Sequence, residues 1–145
     1  MPHVKVYLHF VWSTKKRLPL LATRELREKV WKHIIENAKG KNIFIDFIGG
    51  YTDHCHCLLS MGVDQTIKDL AQLIKGESSF WINKQRLCKS QFNWQNDYFV
   101  ASVSESMINN TRDYIKNQEE HHKHKTFRDE YNEFLEKHGF ERFKD

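Results

Sequence analysis

Hydrophobic and polar positions alternate at the start of the chain. Across 3–13, Val4, Val6, Leu8, Phe10 and Trp12 share one face at a period of two, the spacing of a half-buried strand. From 23 to 39 the period lengthens. Leu26, Val30, Trp31, Ile34, Ile35 and Ala38 form the stripe of a helix, with Gly40 as its predicted stop. Strands are then predicted over 42–49 and 54–61, joined by a turn at Gly49-Gly50-Tyr51-Thr52-Asp53 as an antiparallel hairpin. A second helix starts near Thr66 and carries Ile67, Leu70, Ala71, Ile74, Ser78 and Trp81 at helical spacing. Gly76 lies inside it. A mid-helix glycine costs about 1 kcal/mol against alanine, so it signals a bend or a close approach, or else a weak helix that tolerates it.

Residues 86–97 are polar and irregular, and 98–103 read as a fourth strand. Ser104 is a candidate N-cap for a third helix carrying Met107, Ile108, Thr111, Tyr114, Ile115 and Gln118, which runs on into Glu119–Lys125. Thr126 and Asp129 resemble a capping box for a fourth helix built on Phe127, Tyr131, Phe134 and Leu135, with a stop at Gly139. The order β-α-β-β-α-β, followed by helices, predicts an α+β, ferredoxin-like antiparallel sheet. The first two helices would cover one face, and the third, following strand four, can cross to the other, open one. One domain over 1–145 is expected, with 125–145 as a C-terminal helical extension.

Composition narrows the class. Charged residues are 29% and hydrophobic ones 39% of 145, which predicts a soluble globular domain. No apolar run approaches the ~20 residues that span a bilayer, and Lys5 and His9 interrupt the apolar N-terminus where a signal peptide would need continuity. A cytoplasmic protein without a membrane partner is expected. Three cysteines, an odd number, argue against a disulfide framework. A net charge of +4 permits a nucleic-acid partner without requiring one. Aromatic content of 13% would suit stacking on unpaired bases, although any single ring is more simply core.

The candidate chemistry lies in Asp53-His54-Cys55-His56-Cys57. On a strand, His54 and His56 project side by side from one face, and Cys55 and Cys57 enter the core from the other. That geometry keeps the thiols from joining the imidazoles on one zinc ion. Two imidazoles are half of a metal site, or simply a polar strand face. Tyr114 and Gln118, four apart on a predicted helix, offer a phenol and a carboxamide on one side: a nucleophile and a third ligand, or a packed ring and a surface amide. Asp53 is either a partner orienting a histidine or a turn residue. Lys15, Lys16 and Arg17 are either phosphate contacts or a solvated turn. His121, His122 and His124 read as a solvated basic helix end in preference to a metal cluster.

Five motifs together resemble the single-tyrosine HUH transposases, the small single-strand DNA transposases of insertion sequences, whose relatives include the REP-associated tyrosine transposases. They are Phe10-Val11-Trp12-Ser13-Thr14-Lys15-Lys16-Arg17, Asp53-His54-Cys55-His56, Lys75-Gly76-Glu77-Ser78-Ser79, Trp94-Gln95-Asn96-Asp97-Tyr98-Phe99-Val100 and Tyr114-Ile115-Lys116-Asn117-Gln118. They occur in the family's order over nearly the whole chain. Thr52 and Cys55 depart from the proline and aliphatic residue usual at those places.

The resemblance implies that hairpin-bearing single-stranded DNA is cut and rejoined through a 5′-phosphotyrosine at Tyr114. His54, His56 and Gln118 would ligate a divalent cation, Asp53 would support a ligand, and Lys15, Lys16, Arg17 and Lys75 would hold the DNA. Neutral ligands leave the cation's charge for the phosphodiester, and mixed nitrogen and oxygen donors suit Mg²⁺ or Mn²⁺. The resemblance also implies a homodimer with composite sites, assembled in trans or in cis, in a bacterial or archaeal nucleoid. A domesticated relative acting on chromosomal repeat hairpins would carry the same residues. A non-catalytic ferredoxin-like RNA-binding module would need an aromatic strand motif, and the sequence has none.

Overall fold

Alternation at the start of the chain becomes β1, Val6–Ser13, in a computed structural model that describes residues 1–140. The last five residues of the predicted 125–145 extension lie outside the described residues. Leu8, Phe10 and Trp12 enter the larger core, as their parity predicts. Val4 lies before the strand and is 45% exposed. β1 is central. It pairs antiparallel with β3, His54–Met61, and with β4, Phe99–Val103. β2, Phe44–Tyr51, completes the order β2-β3-β1-β4, so the sheet is the predicted ferredoxin-like one.

Two helices cover one face. α1, Arg24–Gly40, and α2, Ile67–Lys84, are capped by Thr23 and Thr66, whose hydroxyls accept from the backbone N–H three residues on. Val30, Ile34, Ala38, Leu70, Ala71, Ile74 and Ile82 pack on Phe10, Trp12, Cys55, Cys57 and Leu59. Ile35, placed in the stripe by the sequence pattern, is instead exposed. Gly76 neither bends α2 nor meets a neighbour. A Cβ built there finds nothing within 4 Å.

The hairpin differs from its sequence pattern in a way that matters for the site. Gly49, Gly50 and Tyr51 belong to β2, and only Thr52 and Asp53 turn. A bulge at Asp46 shifts the register between Ile45 and Phe47. One extra residue reverses the side-chain parity. Ile45 therefore enters the α1–α2 core, whereas Phe47 packs on the opposite face with Leu58.

The opposite face is covered by the third helix, as expected, and by the two that follow it. α3, Ile108–Lys116, follows a 3₁₀ turn at Glu105–Met107 and packs Ile108 and Ile115 on Leu58. Its predicted continuation is broken at Asn117, after which α4 spans only Gln118–His121. α5, Phe127–Lys137, is capped by Thr126 as predicted and lays Phe127 on Val11 and Phe99. Gly139 ends it with φ +81°, a conformation suited to glycine. No described helix is long and apolar enough to cross a membrane.

Ion pairs hold this second layer. Arg112 on α3 reaches the bulged Asp46 through two hydrogen bonds of 2.6 and 2.7 Å. Buried Arg27 on α1 donates to Leu21 O at 2.8 Å and to Glu119 on α4 at 2.7 Å. Arg24 and Arg27 together hold the Glu119 carboxyl down at about 2.

Gly49 sets how close α3 comes. A Cβ there would stand 2.9 Å from Ile115 Cγ2 and 3.2 Å from Ile115 O. Its strand partner is His56, and Ile115 is the neighbour of Tyr114. The absent side chain thus lets the tyrosine helix settle beside the histidine strand. Gly49→Ala is expected to destabilise the fold by about 1–3 kcal/mol through overpacking. Chemical denaturation measures it, and an unchanged midpoint would mean that α3 is not seated on Gly49.

Candidate metal and nucleophile site

β3 sorts its side chains by parity. Cys55 and Cys57 enter the α1–α2 core, where burial pushes both thiols up, so neither is a ready ligand. His54 and His56 project from the other face and are fully buried there by α3, α4 and α5. The His54 ring stacks on Phe127 at 4.2 Å, and the Tyr114 ring meets His56 edge-on at 5.6 Å.

A small group of atoms converges between these elements. His54 Nε2 lies 2.8 Å from Gln118 Oε1. His122 Nε2 lies 3.0 Å from the same oxygen and 3.3 Å from Glu130 Oε1. His56 Nε2 is 3.3 Å and His54 Nε2 3.5 Å from Glu130 Oε1. The other carboxylate oxygen, Oε2, accepts from Gln118 Nε2 at 3.1 Å and from the Tyr114 hydroxyl. Thus a single chain brings together Tyr114, His54, His56 and Gln118.

Outer partners hold the rings. Asp53 Oδ1 is 2.8 Å from His54 Nδ1. His9 Nε2 is 2.9 Å from His56 Nδ1, and Lys125 O is 2.6 Å from His122 Nδ1. Of the predicted DNA contacts, Lys15–Arg17 form a 3₁₀ turn, with Lys16 and Arg17 at positive φ. Lys75 is elsewhere. It donates to Asn96 O at 3.0 Å and lies over the Tyr98 ring at 5.4 Å.

Three participants went unrecognised in the sequence. Glu130 is one of several carboxylates on α5, and nothing local distinguishes it. His122, expected to be solvated, has a side chain only 3% exposed, because the break at Asn117 turns the helix end back over β3. His9 shares the face of His56 by strand parity, a signal usable once the β1–β3 register is known.

The electrostatics follow from burial. Loss of water lowers His56 to about 4 and His9 to about 3. Burial opposes charge on Glu130, yet hydrogen bonds from His122 and His56 outweigh it and hold the carboxyl well below the usual range. Burial likewise opposes a charged His122, but the hydrogen bond to Glu130 prevails and raises its pKa. Tyr114 is pushed well above an ordinary phenol, by burial first and by the Glu130 charge second. The phenol is therefore held neutral and aimed at a carboxylate.

Two clefts meet at Gln95 and Tyr98, and the first shares with the cluster the Phe127 ring that stacks on His54. One, of about 510 Å³, includes Lys16, Arg17, Phe127 and Tyr131 in its walls. The other, of about 580 Å³, passes over Lys75 and the bare backbone of Gly76. Trp94 ties the motifs together by donating its indole N–H to Ser78 Oγ at 2.9 Å.

The chain is similar to known proteins in its sequence profile and in its fold. The profile of the family described as "Transposase IS200 like" matches residues 3–118. One similar solved structure, described as that of a candidate transposase from Deinococcus radiodurans R1, has a TM-score of 0.65 at 24% identity. The alignment covers 81% of this chain and 93% of the other. Another, a REP-associated tyrosine transposase bound to a REP hairpin, has a TM-score of 0.62 at 16% identity over 84% of this chain and 71% of the other. At these identities the two establish the fold alone. No curated protein matches the chain.

Glu130→Gln removes the carboxylate charge that, after burial, does most to raise the Tyr114 phenol. Ionisation of that phenol is expected at lower pH in the variant, read by ultraviolet pH titration against Tyr114→Phe. An unmoved titration would mean that the carboxylate does not face the phenol.

Proposed function

The chain belongs to the IS200-like transposase family, and from that premise we propose that it cuts and rejoins single-stranded DNA beside hairpins, with Tyr114 as nucleophile. The observation that carries this reading is the meeting of Tyr114 with His54, His56 and Gln118 in one buried cluster. Tyr114 Oη attacks the scissile phosphorus and the bond to the 3′-oxygen breaks. The 5′-phosphate stays on the tyrosine and a 3′-hydroxyl leaves. The phenolic proton has an acceptor in Glu130 Oε2. The covalent link conserves the phosphodiester energy, so rejoining is the same step reversed.

His54, His56 and Gln118 are the donors for a divalent cation, Mg²⁺ or Mn²⁺, and their chemistry fits one. Bound there, such an ion would supply Lewis-acid stabilisation of charge on the phosphodiester oxygens. Asp53 holds the His54 ring so that Nε2 faces the cluster. The two clefts are the route for the unpaired strand. Lys16 and Arg17 meet phosphates, Tyr98 and Tyr131 offer faces for bases, and Gly76 leaves room beside Lys75. Lys15 acts with that basic turn. The hairpin-bound relative supports a hairpin ligand for this chain too.

Each chain holds a complete cluster of its own, which supports assembly in cis. Two cut ends still require two tyrosines, hence a pair of chains acting together. Such a protein works in the cytoplasm, at exposed single strands of the nucleoid.

The test is incubation with hairpin-bearing single-stranded DNA and Mn²⁺ or Mg²⁺. The wild type is expected to form a covalent protein–DNA adduct, and Tyr114→Phe to bind the DNA without forming one. An adduct with Tyr114→Phe would remove Tyr114 from its role.

A further inference from the structure

The family match ends at Gln118, yet two of the atoms converging on the cluster come from beyond it: His122 Nε2 and Glu130 Oε1. Four donors form a closed ring. From His54 Nε2 to Gln118 Oε1 is 2.8 Å, on to His122 Nε2 3.0 Å, to Glu130 Oε1 3.3 Å, and back to His54 3.5 Å. His56 Nε2 joins from one side, 3.3 Å from Glu130 Oε1. Donors bound about 2.1 Å from one ion at right angles stand about 3.0 Å apart. The ring has the edge lengths of one coordination shell.

Proton placement points the same way. Lys125 O can only accept, so His122 Nδ1 carries the hydrogen. Asp53 takes the Nδ1 hydrogen of His54 likewise. In the neutral rings both Nε2 atoms then present lone pairs, and both face Gln118 Oε1, itself an acceptor. The amide cannot be turned round without loss, because its Nε2 donates to Tyr114 O and Glu130 Oε2. A cation shared by the two rings and the amide oxygen would satisfy these contacts at 2.8–3.0 Å. One divalent ion would satisfy the four atoms of the ring, and the His54, His122 and Glu130 ligand atoms lie within 4.8 Å of one another.

We propose that the segment after the family core, 119–137, adds His122 and Glu130 to the His54–His56–Gln118 site. The result is a site of four convergent donors, with His56 beside it, that takes a nitrogen-preferring transition ion, such as Mn²⁺ or Co²⁺, over Mg²⁺. The inference rests on the reading of His54, His56 and Gln118 as ligands. Magnesium favours oxygen donors and keeps several waters, so three imidazoles select against it. Glu130 then has two duties: Oε1 binds the ion and Oε2 holds the Tyr114 hydroxyl.

The test uses the full chain, freed of metal by a chelator and titrated with Co²⁺ while the visible ligand-field spectrum is followed. The wild type is expected to bind one equivalent that a large excess of Mg²⁺ does not displace. Glu130→Gln and His122→Ala should each weaken binding about tenfold or more and shift the band, with circular dichroism confirming their fold. If Co²⁺ binds the wild type but not His54→Ala, and binds Glu130→Gln and His122→Ala unchanged, the proposal is overturned and the three-ligand reading stands. Absence of any wild-type cobalt band would overturn both. Ready displacement of Co²⁺ by Mg²⁺ in the wild type overturns the proposal without need of a variant.

Discussion

A carboxylate buried among histidine imidazoles is the constraint on which the rest of this structure depends. Burying a charge costs several kcal/mol unless partners surround it. Glu130, 1% exposed, meets that cost through His54, His56 and His122, with Gln118 and Tyr114 on its second oxygen. Removing any one partner leaves the others with unmatched polar atoms in a dry place. The arrangement is therefore specific: it fixes where α5 sits on the sheet, which oxygen meets the rings and which meets the phenol.

The scaffold supplies this meeting from separate sources. Strand parity in β3 divides thiols from imidazoles. Gly49 admits α3 close enough to place Tyr114 against His56. Arg112–Asp46 and Arg27–Glu119 pin α3 and α4 at points away from the chemistry. The α1–α2 face holds the large apolar core, while the α3–α5 face has two small clusters and the polar network. One face provides stability, and the other is held largely by its polar contacts.

Much of this was legible in the sequence. Alternation in 3–13 and 54–61, the Thr126–Asp129 box before α5, and the order of elements are local signals that lead to the fold, because periodicity and cap chemistry need no tertiary information. The bulge at Asp46 was not legible, since a run such as Ile43–Ile48 reads as plain strand until its partner sets the register. Nor was the break at Asn117, whose consequence is felt through packing on β3. His122 and Glu130 escaped for the same reason. Their roles come from long-range contacts 68 and 74 residues from the strand histidines, and no local pattern marks them.

The proposed site requires that the imidazoles of β3 and the donors of α4 and α5 face a common cation beside Tyr114. Anomalous X-ray diffraction from crystals of the protein grown with Mn²⁺ tests it most directly. The account predicts a single strong manganese peak within bonding distance of His54, His56 and Glu130. A peak elsewhere, or rings and carboxylate joined only to each other in the presence of the ion, would contradict it.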